Sequence, residues 1–258
     1  MRLGVALLPD LPWSDALAQW TRLDRLGVDH LWTYDHLSWR ELRDGPWFGA
    51  VPLLAAVASL TSRSLLGTLV ASPNYRMSRA PNPLDQADDV GRALAFVQSK
   101  AAEWGADPAR VLLMGHSSGA HLVALLGADP GIAARQGAKP ALGVVALDSA
   151  ALNVVETMEG RHARFYDMVF GSDPSHWRKA SPFDRLAAAP VPMLLVCSSR
   201  RSDSCPAARA FAGKATALGG RATVLPVDLS HGGLNMELGQ ANAYTTSVEG
   251  FMHSLGLP

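Results

Sequence analysis

The chain has 258 residues, of which 48% are hydrophobic and 18% are charged, and this composition predicts a folded domain with a sizeable core. It argues against extended disorder, which goes with low hydrophobicity and high net charge. The 23 basic and 23 acidic residues give a formal net charge of zero, and no basic stripe with interleaved aromatic residues stands out, which argues against nucleic acid as a partner.

The amino-terminal stretch "MRLGVALLPDLPW" has one arginine followed by six apolar residues before Pro9. This run is too short for the core of a signal peptide. No later apolar run approaches the length that crosses a bilayer. We therefore expect a soluble, cytoplasmic protein that has no membrane partner.

Short apolar runs bounded by Gly, Pro, Asp or Ser predict buried strands along the chain. The runs cover residues 2–8, 30–34, 65–71, 110–115, 143–148, 192–198 and 222–228. Helical patterns between them cover residues 14–26, 50–60, 83–104, 118–127, 205–218 and 241–255. This alternation favours an α/β fold with a mostly parallel central sheet and helices on both faces.

The stretch "RVLLMGHSSGAHLVALLG", residues 110–127, combines a buried strand, a tight turn and an apolar helix. A G-x-S-x-G turn between strand and helix is typical of a nucleophile elbow, where the serine hydroxyl stands clear at the carboxyl end of the sheet. Ser117 is therefore the candidate nucleophile, and the backbone N–H of Ser118 is a candidate donor to an oxyanion. The alternative is an ordinary glycine-rich turn in a βα unit.

A serine nucleophile needs a base, and in this type of fold the histidine follows the serine in the chain. His231 lies in the loop "LSHGGLN", directly after the predicted strand 222–228. Because sites form in loops at the carboxyl edge of a parallel sheet, His231 is the preferred base. The other downstream histidines fall in helices or in the irregular stretch 153–187; they are His121, His162, His176 and His253.

The base needs an acid that orients it. After the predicted strand 192–198 comes "SRRSDSCP", whose one carboxylate is Asp203, and Asp203 is the preferred acid. Asp228 is a competitor, although it ends the strand that leads to His231. Asp148 ends another strand, where a structural role is the alternative.

The stretch 153–187 is long for a loop and predicts a small lid over the site. Its aromatic residues are candidate walls of a substrate pocket, with ordinary packing of the lid as the alternative. They are Phe165, Tyr166, Phe170 and Trp177.

The two cysteines, Cys197 and Cys205, are too few for a four-ligand zinc site, and no metal is expected. Two free thiols are the favoured interpretation for a reducing cytosol. A disulfide that braces the intervening loop is the alternative.

Residues 74–258 resemble the α/β-hydrolase esterases, particularly the branch related to feruloyl esterases and kynurenine formamidases. The matching stretches are "NYRMSRAPNP", "DVGRALAFVQSKAAEWGADPARVLLMGHSSGAHL", "VFGSDPSHWRKASPF", "PMLLVCSSRRSDSCPAARAFA" and "LPVDLSHGGLN". The resemblance implies Ser117 as nucleophile, His231 as base and Asp203 as acid, in agreement with the residues taken alone.

The function expected from these residues is a serine carboxylesterase that hydrolyses small acyl esters through an acyl-enzyme, without a cofactor. A formamidase or amidase that uses the same triad is an alternative. A catalytically weak or inactive chimeric hydrolase is another, because the H-G-G segment that esterases of this group carry before the nucleophile does not occur before Ser117.

Residues 1–76 are similar to the start of luciferase-like, flavin- or deazaflavin-dependent monooxygenases, which are (β/α)8 barrels. Only about three of the eight βα units of such a barrel fit into this segment, so no flavin is expected. The chain therefore resembles a fusion whose seam lies near "ASPNYR", folded as a single domain over residues 1–258. In that domain, a grafted βαβαβ segment supplies the first strands of the hydrolase.

The graft suggests a substitute for the missing H-G-G segment. We expect residues 30–35 to lie beside 110–115, which places the loop 35–39 next to the nucleophile. Backbone N–H groups near His36 and Leu37 then donate to the oxyanion, and residues 2–8 move to the sheet edge. The competing arrangement keeps 2–8 beside 30–35 and places 2–8 next to the nucleophile strand.

Overall fold

The computed structural model describes residues 4–7, 13–26, 30–33, 71–76, 81–104 and 106–257. The chain divides into two compact units, residues 1–72 and residues 73–258. The single hydrolase-like domain expected over the whole chain stays a prediction.

The described part of the first unit is a βαβ segment. Strands β1 (Gly4–Leu7) and β2 (His30–Thr33) pair in parallel, with Gly4 opposite His30. Helix α1 (Trp13–Arg25) connects them and buries Ala16 and Trp20, which lie four residues apart on one face.

This pairing overturns one expectation from the sequence. Gly4–Leu7, which lies within the predicted run 2–8, stays beside His30–Thr33, because β1 and β2 form their own parallel pair. The expected place of 30–35 beside 110–115 stays a prediction. The predicted helix 50–60 and residues 65–70 of the predicted third strand lie outside the described residues, and the luciferase-like origin of this unit stays a prediction.

The second unit contains a parallel sheet whose described strands follow the order β3–β4–β5–β6. Their bounds agree with the predicted runs to within two residues. The strands are β3 (Leu112–His116), β4 (Gly143–Leu147), β5 (Met193–Ser198) and β6 (Ala222–Val227).

Helices connect and cover these strands. The helices predicted in this unit are confirmed at 83–104, 118–127, 205–218 and 241–255. The stretch 153–187 contains four short helices that the apolar pattern did not reveal. In chain order the helices are α2 (Pro83–Lys100), α3 (Ser118–Ala128), α4 (Gly131–Ala134), α5 (Val154–Glu159), α6 (Phe165–Phe170), α7 (Pro174–Ala180), α8 (Pro182–Arg185), α9 (Ser204–Ala217), α10 (His231–Met236) and α11 (Ala243–Ser254), with a 3-10 turn at Ala101–Trp104.

The core of the second unit lies on both faces of the sheet. Every residue of β4 and β5 is buried. Side chains of a strand alternate between faces, so Val144 and Ala146 pack with α3 and α9, whereas Val145 and Leu147 pack with α10 and α11. The expected arrangement of helices on both faces is therefore confirmed. No helix in the described part of the chain is long and apolar enough to cross a bilayer.

Candidate active site

Ser117 occupies a sharp turn between β3 and α3. Its backbone has φ 58° and ψ −116°, a conformation that side-chain-bearing residues rarely adopt. A Cβ atom at Gly115 would lie 2.4 Å from the backbone carbonyl of Gly119, so the turn is closed too tightly for any larger residue there. The Ser117 N–H donates to the carbonyl oxygen of Leu147 on β4 over 2.9 Å, which fixes the turn against the sheet.

The hydroxyl of Ser117 meets the imidazole of His231. The Ser117 Oγ and His231 Nε2 atoms are 2.9 Å apart. His231 begins α10, directly after the loop that follows β6, and Ser230 caps this helix by accepting a hydrogen bond from the Gly233 N–H over 3.0 Å. The structure therefore brings together two of the residues that the sequence singled out.

The carboxylate beside His231 belongs to Asp148 and not to Asp203, the expected acid. Asp148 Oδ2 lies 2.6 Å from His231 Nδ1. The Asp148 side chain is fully buried at the end of β4, and its backbone has φ 60°. Its N–H donates to the carbonyl oxygen of Val196 on β5 over 2.8 Å, so both neighbouring strands hold it in place.

Hydrogen bonds keep the buried Asp148 carboxylate charged. Burial raises the pKa of this group, but the hydroxyl of Ser204, the N–H of Ser198 (2.8 Å) and the imidazole of His231 together lower it further than burial raises it. The guanidinium of Arg201 adds a donor to Oδ2 over 3.0 Å. With a charged acceptor at Nδ1, His231 carries its proton there, and Nε2 is left free to accept the Ser117 hydroxyl proton.

Asp203 is held away from the base by Arg201. The Arg201 Nε and Nη2 atoms donate to the two oxygens of Asp203 over 3.0 and 2.9 Å, in a bidentate ion pair. Asp203 directly precedes α9 and is exposed. The other candidate acid, Asp228, pairs with Arg200 over 2.8 Å at the surface. Asp203 therefore contacts Arg201, which in turn lies against His231, and does not contact the imidazole as expected.

Two residues beside His231, Arg201 and His116, were not among the site residues expected from the sequence. Arg201 Nη1 approaches His231 Nδ1 to 3.0 Å while it binds Asp148. His116 donates from Nε2 to the backbone carbonyl of His231 over 2.8 Å, and the two rings lie 4.4 Å apart. Burial lowers the pKa of His116, which favours the neutral ring in this contact. His116 is the variable residue before the serine in G-x-S-x-G, a position that carries no expectation of its own.

The expected oxyanion donors are described only in part. Ser118 is exposed at the first position of α3, and the described residues give its backbone N–H no acceptor. Its hydroxyl lies 2.9 Å from the hydroxyl of Tyr75. Two hydroxyls carry two hydrogens and their shared bond uses one, so one O–H remains free to donate. His36 and Leu37 lie outside the described residues.

Tyr75 is fixed by its neighbour in the chain. Arg76 forms a bidentate pair with Asp89 on α2, with two contacts of 2.9 Å, and its backbone N–H donates to the same carboxylate. The hydrogen bond from Arg76 is the largest cause that holds the pKa of Asp89 well below its ordinary value. This pair anchors the segment that carries Tyr75.

The four lid aromatics separate into two groups. Phe170 is buried and Trp177 donates its ring N–H to the carbonyl of Gly171 over 3.0 Å, so both take part in ordinary packing of the lid. Phe165 is half-exposed, and its ring lies 4.0 Å from the ring of Tyr166. Burial raises the pKa of Tyr166, against the charge of nearby Arg201.

His121 lies one turn into α3 and is not part of the site. It is buried, donates from Nδ1 to the carbonyl of Ala151 over 2.8 Å and meets the ring of Phe170 edge-on. Burial lowers its pKa to about 4, so it is a neutral packing residue at ordinary pH. No group of three or more His, Cys, Asp or Glu residues in the described ranges is arranged to hold a metal ion.

The favoured interpretation of the cysteines is wrong. Cys197 and Cys205 form a disulfide, which joins the end of β5 to the first turn of α9, and both residues are buried. Proximity explains it: the chain leaves the strand and returns as a helix within eight residues, which brings the two Cα atoms to 5.1 Å.

The parallel sheet, the helices on its two faces and the turn at Ser117 give the second unit an α/β-hydrolase-like fold. Esterase 2 of Thermogutta terrifontis, phosphoramylated by tabun, is similar, with a TM-score of 0.56 and 21% identity over 71% of this chain and 70% of that one. A truncated form of a carbohydrate esterase from gut microbiota is also similar, with a TM-score of 0.60 and 18% identity over 72% and 73%.

One family model and two relatives named as esterases or ester hydrolases are similar to parts of this chain in sequence. The BD-FAE family model matches residues 56–140. A probable isoprenylcysteine alpha-carbonyl methylesterase of Oryza sativa subsp. japonica is 40% identical over 58 residues, 22% of this chain. A probable carboxylic ester hydrolase of Mycobacterium tuberculosis is 36% identical over 81 residues, 31% of this chain. The matches span 14% and 17% of the lengths of these two relatives.

Proposed function

We propose that the protein is a serine carboxylesterase that hydrolyses small acyl esters, with Ser117 as nucleophile, His231 as base and Asp148 as acid. The observation that carries this proposal is the continuous hydrogen-bonded chain from Ser117 Oγ through the two ring nitrogens of His231 to Asp148 Oδ2, with contacts of 2.9 and 2.6 Å. The similarity to esterases supports it.

In the acylation half, Ser117 Oγ attacks the ester carbonyl carbon while His231 Nε2 takes the hydroxyl proton. Asp148 stabilises the imidazolium that forms, since its carboxylate accepts the Nδ1 proton. The tetrahedral intermediate then collapses, the bond to the alcohol oxygen breaks, and Nε2 returns its proton to the leaving alcohol. The acyl group stays on Ser117 as an ester.

In the second half, a water molecule takes the place of the alcohol. His231 Nε2 removes a proton from the water as its oxygen attacks the acyl carbon, and the proton passes to Ser117 Oγ when the acyl-enzyme bond breaks. The carboxylic acid leaves and the serine is regenerated. The site needs no cofactor for either half.

The negative charge on the intermediate needs donors. The backbone N–H of Ser118 supplies one, at the start of α3, where the helix dipole also favours an anion. The free O–H of the pair formed by Tyr75 and Ser118 supplies a second, in place of the absent H-G-G segment. The backbone N–H groups of His36 and Leu37, expected from the sequence, remain part of this proposal.

The alcohol or acyl part of the substrate lies against the accessible lid aromatics, Phe165 and Tyr166, in this proposal. Both belong to α6, and Tyr166 lies close to Arg201, which contacts the acid and the base. Phe170 and Trp177 support them from the packed side of the lid.

The test compares wild type with Ser117→Ala on p-nitrophenyl acetate, p-nitrophenyl butyrate and formanilide. We expect hydrolysis of the p-nitrophenyl esters by wild type and a loss of at least about 1,000-fold in Ser117→Ala. Ser247→Ala is the matched control, because Ser247 is exposed and its hydroxyl donates to the carbonyl of Ala243 within α11. If wild type hydrolysed formanilide but neither p-nitrophenyl ester, the protein would be an amidase and the esterase proposal would be wrong.

A second measurement does not depend on turnover. One similar esterase structure is described as phosphonylated by sarin. A fluorophosphonate probe should therefore add one phosphonyl group to wild type and none to Ser117→Ala, as read by intact mass. Labelling at another residue would contradict the assignment of Ser117 as nucleophile.

A further inference from the structure

The donors that hold the acid come from one short segment. Ser198, Arg201 and Ser204 all bond to the carboxylate of Asp148, and all lie between Cys197 and Cys205. The two donors to Oδ1 are the residues next to the cysteines: Ser198 follows Cys197, and Ser204 precedes Cys205. The disulfide therefore joins the two ends of the loop next to Ser198 and Ser204, the two residues that donate to Asp148 Oδ1.

We propose that the Cys197–Cys205 disulfide positions Asp148 for catalysis, so that the esterase activity proposed above depends on the redox state of this bond. The disulfide ties the end of β5 to the start of α9, and the backbone N–H of Ser198 and the hydroxyl of Ser204 converge on the same oxygen only while these two ends stay together. This inference rests on the proposed function.

The same loop also reaches the base. The hydroxyl of Ser198 donates to the carbonyl of Leu229 over 2.5 Å, two residues before His231. A change at the end of β5 is therefore felt by the acid through its donors and by the base through its loop. Both partners of the 2.6 Å contact depend on one cross-link.

Burial makes the bond mechanically coupled to its surroundings. Cys197 and Cys205 belong to a close-packed cluster with Ala208, Phe211 and Leu195. Two thiols need more room than two bonded sulfur atoms, and a packed interior transmits such a change to its neighbours. Reduction therefore displaces the start of α9, which carries Ser204.

The reaction that operates the switch is thiol–disulfide exchange with a dithiol reductant. One thiolate of the dithiol attacks a protein sulfur and the Cys197–Cys205 bond breaks. The second thiol resolves the mixed disulfide, which leaves two protein thiols and one oxidised dithiol. Two electrons and two protons pass to the protein, and an oxidant of the disulfide class reverses the step.

The primary experiment measures kcat and KM of the full chain on p-nitrophenyl acetate before and after treatment with dithiothreitol, with thiol titration to establish reduction and circular dichroism to establish folding. We expect kcat to fall by about 10-fold or more, because a displacement of about 1 Å in a catalytic group can cost about 100-fold. KM should stay within about twofold, and reoxidation should restore kcat.

The double variant Cys197→Ala/Cys205→Ala serves as the control for the reductant. It should have the low kcat of the reduced protein, and dithiothreitol should leave it unchanged. A folded, reduced wild type that keeps its full kcat, or a double variant with wild-type kcat, overturns the proposal.

The role of the donors is tested while the disulfide is intact. Ser204→Ala should lower kcat. Reduction of this variant should then cause a smaller fold-loss of kcat than reduction of wild type, since the two changes act on the same contact. Ser202→Ala, an exposed neighbour in the same loop, should keep kcat within about twofold. Equal reductant effects in wild type and Ser204→Ala would show that the disulfide does not act through this donor.

A spectroscopic readout separates failure of this inference from failure of the proposed function. The Nδ1 proton that His231 shares with Asp148 should give a downfield resonance in the proton spectrum, and reduction should shift or broaden it even if no ester is hydrolysed. An unchanged resonance in reduced protein contradicts positioning by the disulfide, whereas absent turnover with a redox-sensitive resonance contradicts only the esterase function.

Discussion

Asp148 and His231 lie 83 positions apart in the chain, yet Asp148 Oδ2 and His231 Nδ1 are separated by only 2.6 Å. The sheet explains this contact. The strands β4 and β5 are parallel neighbours, so a carboxylate at the end of either one reaches the same edge. Arg201 binds Asp203 with two of its nitrogens and Asp148 with the third, so Asp203 pairs with the arginine while Asp148 contacts the imidazole as well.

The assignment of Asp148 predicts different effects for two conservative substitutions. Asp148→Asn should lower kcat by about 10,000-fold, because an amide holds His231 in the wrong tautomer. Asp203→Asn should lower it by less than about 10-fold, since Arg201 is the bonding partner of its carboxylate among the described residues. The measurement is the hydrolysis of p-nitrophenyl acetate. A larger loss in Asp203→Asn than in Asp148→Asn would restore Asp203 as the acid.

The hydroxyl pair beside the nucleophile predicts a loss that requires removal of both groups. Tyr75→Phe/Ser118→Ala should lower kcat by about 100-fold, the effect of removing one oxyanion donor, because the Ser118 backbone N–H remains. Each single variant retains one O–H and should lose less. The kinetics are followed on the same ester, with KM as the check on substrate binding. A double variant within threefold of wild type would exclude the pair as donor.

The tight turn before the nucleophile predicts opposite responses at its two glycines. Gly115→Ala should destabilise the fold by about 2 kcal/mol or more, because its Cβ meets the backbone of Gly119 at 2.4 Å. Gly119→Ala places its Cβ in open space and should raise stability by about 0.5–1 kcal/mol, as alanine does in helices. Urea unfolding of both variants measures the difference, and equal stabilities would contradict this packing.

The buried His121 predicts a pH dependence of stability. Burial lowers its folded-state pKa from 6.5 to about 4, so the unfolded chain takes up a proton first as the pH falls. Its contribution is fully present above pH 6.5 and is lost between pH 6.5 and about 4, with a total of roughly 3 kcal/mol. His121→Gln should remove this slope from urea-unfolding free energies. An unchanged slope would assign it to other groups.

The regular part of the fold follows from the sequence because period and punctuation are local signals. The apolar runs that became β3 to β6 and the stripe of Ala87, Val90 and Leu94 on α2 needed no knowledge of distant contacts. The short helices in 153–187 are stabilised mainly by packing and by caps such as Asn153 and Asp173, so no apolar period announces them.

Site residues could be predicted where a local sequence pattern marks one residue. They could not be predicted where two carboxylates were both candidates for the same contact. The turn sequence singles out Ser117, and the position of His231 after a strand singles out the base. The choice between Asp148 and Asp203 depends on where one arginine side chain lies, which is a tertiary property. The Cys197–Cys205 bond likewise depends on how sharply the chain turns from β5 into α9.

Ser117 and Asp148 are the two non-glycine residues with positive φ in the described part of the chain. Such conformations cost on the order of 1–3 kcal/mol each, and glycine would relieve them. A search for thermostable variants would therefore be drawn towards Ser117→Gly and Asp148→Gly, the two changes that remove the proposed nucleophile and the proposed acid. Selection for heat resistance must be coupled to a screen for turnover, because the two residues whose positive φ lowers stability are also the two that the proposed reaction needs.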